Sequence, residues 1–294
     1  MTTHSGAIRA ATAPVSRRMP RTLRRLLHHR LFVIGAVVFT LVVLVAIFAN
    51  AIATHSITKM DVHSRMRPPS ARFLFGTDAF GRDLFSRTVV GSRISIEVGV
   101  MVALTTGALG TLIGAASGYF RWLDNVLMRI VDALMAFPAL LLALGVAAAL
   151  GPSALNAVIA LSIAYVPRTA RIVRGSVMVV RSMLYVDASR VAGAGHLRVI
   201  CRHILPNCLA PLIVQITFIF GYAILAEAIL SYLGLGTPPP TPSWGNIIAD
   251  GRDFIIDAPW ITIFPGLCIS ITVLSLNLMG DGLRDVLDPR QTLA

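Results

Sequence analysis

The sequence predicts an all-α integral membrane protein with about six transmembrane helices. Three observations predict it. Hydrophobic residues make up 55% of the chain and charged residues 14%, with a mean hydropathy of +0.75. A soluble domain carries about a quarter of its residues charged. Apolar runs recur that are long enough to cross a hydrocarbon core of about 30 Å at about 1.5 Å per residue. The remaining charge, +12 from 26 basic and 14 acidic residues, lies beside those runs. There it fits membrane orientation and anionic headgroups better than nucleic acid.

Residues 1–30 form a basic segment with seven Arg and no acid, which places this segment in the cytoplasm. The apolar run 31–53 is too long for a signal-peptide core of about 7–15 residues and reads as the first transmembrane helix. Residues 54–93 become an extracytoplasmic loop. Residues 94–282 hold five further spans, at Ile94–Gly118, Val126–Leu150, Ala154–Arg174, Leu209–Leu233 and Trp260–Met279. The fourth is uninterrupted only from Ala154 to Val166. Its helix is expected to continue through Pro167 and carry Arg168, Arg171 and Arg174 to the cytoplasmic face. A cytoplasmic loop lies at 175–206 and a cytoplasmic tail at 283–294, so both termini fall inside.

The charges support this orientation in part. Gly175 to Pro206 holds Arg181, Arg190, Arg198 and Arg202 against Asp187, as an inner loop should. Gly234 to Pro259 holds Asp250, Asp253 and Asp257 against Arg252 and suits the outside. The exported loop Thr54 to Arg93 carries seven basic residues against three acids, against the trend.

Little enzymatic chemistry is on offer. Cys201, Cys208 and Cys268 show no CxxC or zinc spacing and read as free thiols. The seven histidines lie outside the apolar runs and none belongs to an HExxH. The sole lysine, Lys59, lacks the glycines of a phosphate-binding loop. No cofactor or metal is expected in this chain, and any ATP hydrolysis has to come from a partner.

The 175–206 loop carries most of the mechanism. Small residues at 188, 189, 192 and 194, a break at Gly193–Gly195 and an ending at Pro206 predict a short helical hairpin, suited to a partner's cleft. Asp187-Ala188-Ser189, Gly193 and Leu205-Pro206 resemble the cytoplasmic signature of bacterial ABC importer permeases: Glu-Ala-Ala, three residues, Gly, nine residues, Ile-x-Leu-Pro. The departures are Asp187 for Glu, Ser189 for Ala and His203 for Ile. The resemblance implies a type I ABC importer permease fold in which Asp187, Ala188, Ser189, Gly193, Gly195, Leu205 and Pro206 couple to an ATPase. A plain basic loop is the bland alternative.

Three more stretches narrow the resemblance to dipeptide and oligopeptide permeases of the "C" type. They are Phe75 to Asp83 with Ser86-Arg87 and Gly91 to Ser95; Ala226 to Gly236 with Pro242-Ser243-Trp244-Gly245; and Asn277 to Asp285 with Leu287 to Arg290. The likeness runs from about Arg24 to Arg290. It implies a multi-pass protein of the bacterial cytoplasmic membrane that contacts lipid and no nucleic acid. Its implied partners are a second homologous permease, two ATPase subunits that bind ATP and Mg, and an extracytoplasmic substrate-binding protein. Similar subunits serve nickel and glutathione importers. From a different class, a self-sufficient secondary transporter would favour an inverted repeat and midplane charges, neither of which is evident.

Three acids sit in or near the spans, where ionisable groups are functional candidates. Glu97 reads as interfacial. Asp132 is a candidate for the translocation pathway, the plainer reading being a local pair with Arg129 three residues away. Glu227, about 27 Å along its helix, is a candidate for pathway lining or for pairing with the partner permease, the plainer reading being simple exposure. Pro138, Pro167, Pro211 and Pro265 mark kinks.

Overall fold

The structure, a computed structural model, describes residues 21–287; most of the basic segment 1–30 and the Asp288-Pro289-Arg290 motif lie outside the described residues. Short α1 (Arg21–His28) leads into α2 (Arg30–Ile47), and α3 (Ala49–Ile52) continues it. Leu31, Ile34, Val37, Leu41 and Leu44 form an exposed stripe on α2, as a lipid-facing helix requires.

α4 (Leu84–Tyr119) is 36 residues, about 54 Å, and therefore outreaches the bilayer. It begins ten residues before the expected Ile94, capped by the Asp83 carboxylate, which accepts from the Ser86 N–H at 2.9 Å. Its polar first turns persist because distant groups neutralise them. The Arg93 guanidinium donates to the Ala46 and Ile47 carbonyls at 2.7 and 2.8 Å, satisfying the end of α2. Arg82 and Arg87 pair with Asp78 and Asp250. Part of the basic excess in the 54–93 loop is thus buried and paired with acids.

The expected continuous third span is broken. α5 (Arg121–Met135) and α6 (Ala139–Leu150) meet at 89° across Ala136–Pro138. Pro138 lacks an N–H and pushes Phe137 out of helical geometry, so the helix stops there. α7 (Ala154–Arg181) runs unbroken through Pro167, as expected. It packs along α4 on a ridge of glycines four residues apart. A Cβ at Gly110 would lie 2.6 Å from the Thr169 Cβ, one at Gly114 2.5 Å from the Ala170 carbonyl, and one at Gly118 2.8 Å from the Val177 Cβ. Small residues at this spacing let two spans approach closely.

α8 (Leu184–Val191) and α9 (His196–Val199) form the hairpin; a π-turn at Ile200–Ile204 joins α9 to α10 (Leu205–Tyr232). α11 (Trp244–Gly251), capped by Ser243 and Asn246, precedes α12 (Trp260–Leu287). α12 packs against α2 at Gly35, where a Cβ would meet the Ser275 carbonyl at 2.6 Å.

Among the described residues, four helical runs are long and apolar enough to cross a membrane, and a fifth if α5 and α6 form one broken span. α7 has the length, but its arginines lower its apolar content. With α7 the total approaches the expected six. The fold is all-α, with no strand among the described residues.

Candidate functional site

The predicted hairpin forms at the end of the molecule where α4 finishes and α10 starts. α7 ends at Arg181, and Met183 opens α8. α8 stops in a Schellman turn: the Ala194 N–H donates to the Ser189 carbonyl at 3.0 Å and the Gly193 N–H to the Arg190 carbonyl at 2.9 Å. Gly193 holds φ +83, which any side chain would strain. Gly195 was expected to share this role, but its φ is −66, open to all residues; it caps α9 instead.

The second leg also departs from expectation. Pro206 does not end a helix; it sits in the first turn of α10, and the leg runs on as the fifth span. The preceding π-turn explains how. The Leu205 N–H bonds to Ile200 rather than to the carbonyl four residues back, so the ladder has changed register before the proline arrives.

One side of the hairpin is core and the other is bare. Val186, Val199 and Ile204 are fully buried against Val173, Val177, Val180 and Cys208. Facing away, Leu184 is 87% exposed, Val191 90% and Leu197 78%. Asp187, Ala188, Gly193, Gly195 and Pro206 are exposed with them, while Ser189 and Leu205 are half-buried. Asp187 pairs with Arg190 at 3.1 Å, and the Ser189 hydroxyl donates back to the Val186 carbonyl at 2.7 Å. The Asn207 amide reaches the Tyr185 hydroxyl at 3.1 Å and the His203 carbonyl at 2.7 Å, tying the two legs together. The site is therefore a braced hairpin with a bare apolar face.

The two acids proposed for a pathway lie elsewhere. Glu227 is fully buried within the chain, neither exposed nor facing outward. Its carboxylate accepts from the Ser231 hydroxyl at 2.6 Å and the Ser95 hydroxyl at 3.3 Å. The Trp244 N–H donates to the same Ser95 oxygen at 3.3 Å, and Gly245 lies where a Cβ would be 2.6 Å from the Ala228 Cα. Glu227 thus ties α4, α10 and α11 together, which accounts for the Ser243-Trp244-Gly245 motif beside it. Asp132 pairs with Arg171 on α7 at 2.6 Å, not with Arg129. Asp124 and Arg174 form a second α5–α7 pair that sequence reasoning missed, since the partners are 50 residues apart. Cys201, Cys208 and Cys268 are free.

Residues 108–293 match the family model described as binding-protein-dependent transport system inner membrane component. Residues 19–69 match the N-terminal TM domain of oligopeptide transport permease C. A putative peptide transport system permease protein of Brucella abortus is 56% identical over 92% of this chain and 91% of the relative. The dipeptide transport system permease protein DppC of Alkalihalophilus pseudofirmus is 45% identical over 91% of this chain and 88% of its own. The glutathione transport system permease protein GsiD of Escherichia coli is 41% identical over 91% and 89%.

Proposed function

The chain belongs to the binding-protein-dependent inner-membrane components of ABC importers, and we propose that its hairpin is the element that docks a partner ATPase. The chain is a membrane-spanning permease subunit of an ATP-driven peptide importer, not an enzyme. ATP hydrolysis belongs to partner ATPases, and a substrate-binding protein serves the same system. The further assignment is a second homologous permease beside this one and two ATPase subunits below, with ATP and Mg bound there. Both termini and the hairpin face the cytoplasm. The substrates are dipeptides and oligopeptides; the glutathione permease relative makes that short peptide the second reading.

The supporting observation is the bare apolar face of Leu184, Val191 and Leu197 on a hairpin that carries the family's signature residues. Burying one such side chain contributes about 1.5–3 kcal/mol, so a matching cleft would hold the hairpin firmly. Cells lacking this chain are expected to lose ATP-dependent uptake of short peptides, and a tagged chain that restores it should co-purify with an ATPase. Uptake that survives ATP depletion and follows the proton gradient would favour a secondary transporter instead.

Orientation has its own test. In a variant with all three cysteines replaced, Ser70→Cys should react with an impermeant thiol reagent on intact cells and Ser182→Cys should not. Ser70 lies in the 54–93 loop and Ser182 at the foot of the hairpin, and both are exposed. Labelling from the same side would overturn the arrangement.

A further inference from the structure

The hairpin must pass motion to the spans, and its apolar packing is poorly suited to do so alone. Val186, Val199 and Ile204 hold the hairpin against α7, but hydrophobic contact is non-directional and does not by itself specify one angle. A directional contact is needed, and one lies at the end of α4. Tyr119, the last residue of α4, is 7% exposed. Its hydroxyl is 2.9 Å from Nδ1 of His196, the first residue after the hairpin turn.

Other groups close on the same point. The Arg190 guanidinium, from the last turn of α8, sits 5.3 Å from the centre of the Tyr119 ring. The Phe120 ring meets both the Tyr119 and His196 rings edge-on, at 4.8 and 5.9 Å. From the foot of the hairpin, Arg181 donates to the Tyr119 carbonyl at 2.8 Å and to that of Gly118 at 3.1 Å. These carbonyls end α4 and lack partners in the helix, and a cation is favoured at this negative end. Both legs of the hairpin and its base thus grip the end of one helix. That helix is the long one whose glycine ridge lies on α7 and whose far end holds the Asp83 cap and Ser95.

We propose that Tyr119 and His196 are positioning residues that fix the angle of the hairpin to α4, so that displacement of the hairpin by a docked ATPase moves α4. The proposal rests on the reading of the hairpin as the docking element. Arg190 and Arg181 support the same joint.

The test uses the whole complex reconstituted in lipid vesicles, with ATP hydrolysed and short peptide imported measured in the same preparation. Tyr119→Phe removes one oxygen and keeps the ring. With ATPase subunits still bound, peptide imported per ATP is expected to fall roughly five- to tenfold, the loss of one directional hydrogen bond. His196→Gln retains a hydrogen-bonding group and should keep more of the ratio than His196→Ala. The double variant Tyr119→Phe with His196→Ala should be no worse than the poorer single, because both remove the same contact.

An unchanged ratio in Tyr119→Phe, or losses that simply add in the double variant, would overturn the proposal. Loss of the assembled complex in place of a changed ratio would give the contact a purely structural role and overturn it as well. Failure of the underlying reading looks different: a Gly193→Trp complex that imports normally removes the docking role whatever Tyr119 does.

Discussion

A Gly193→Trp chain is expected to insert and pack normally and yet to lose at least about tenfold in peptide uptake. Two effects combine at this position. The backbone there is left-handed, φ +83, which costs a residue with a Cβ roughly 1–2 kcal/mol. The Schellman turn that ends α8 depends on it. Among the described residues, none but its chain neighbours comes within 4 Å of a Cβ built there, so the indole has open space on the hairpin that bares Val191 and Leu197, where the ATPase would sit. Nothing inside the spans changes, so membrane insertion is unaffected. Gly193→Ala separates the effects, since it adds the strain without the bulk and should retain more uptake. The measurement is ATP turnover and peptide uptake by reconstituted complexes, with bound ATPase quantified. Normal uptake by the Trp variant would sink the docking role of the hairpin.

The spans were legible because bilayer thickness imposes a length, and hydropathy alone reads lengths. The α7 helix runs through Pro167 as expected, because the apolar stretch before its arginines is too short to cross by itself and the span needs the residues beyond. The hairpin was legible at Gly193 because a single position carries the backbone requirement. Interactions between elements far apart in sequence were not legible. Read on its own helix, Glu227 offers pathway lining, pairing with the partner permease or exposure; its enclosure is hidden because Ser95 lies 132 residues earlier. Asp132 was matched to the nearest arginine on its own helix, while the geometry places Arg171 closer. The start of α4 was misplaced for the same reason: Arg87 and Arg93 look like loop residues until Asp250 and the end of α2 are folded against them. Pro206 read as a stop because a π-turn leaves no clear mark in composition.

Arg82→Ala is expected to cost about 3–5 kcal/mol and to lower the thermal midpoint of the purified complex by roughly 10 °C. Asp78 is 1% exposed and the Arg82 side chain 7%, so the pair is held away from water. Arg82 Nε donates to Asp78 at 2.6 Å while its Nη2 donates to Asp250 at 2.9 Å, joining the loop before α4 to α11. Its guanidinium also lies 4.6 Å from the centre of the Phe80 ring. Removing it leaves Asp78 with two backbone N–H donors, from Phe80 and residue 82, and with Arg87 Nε only at 3.6 Å, and leaves Asp250 with Arg87 at 3.3 Å. A buried carboxylate that loses its nearest cation bears more of its desolvation uncompensated, which is why breaking such a pair costs more than its net worth. Arg82→Lys keeps the charge but not the planar fork that reaches two carboxylates at once, and should fall between. Arg252→Ala is the reference. Its side chain is 55% exposed and pairs, among the described residues, only with neighbouring Asp253 at 3.4 Å, so the expected loss is about 0–1 kcal/mol. If Arg82→Ala shifts the midpoint no more than Arg252→Ala, the four charged groups do not brace the Leu84 end of α4. A larger shift with near-normal peptide import per ATP in the surviving complexes would assign them to stability and leave energy transfer to the other end of the same helix.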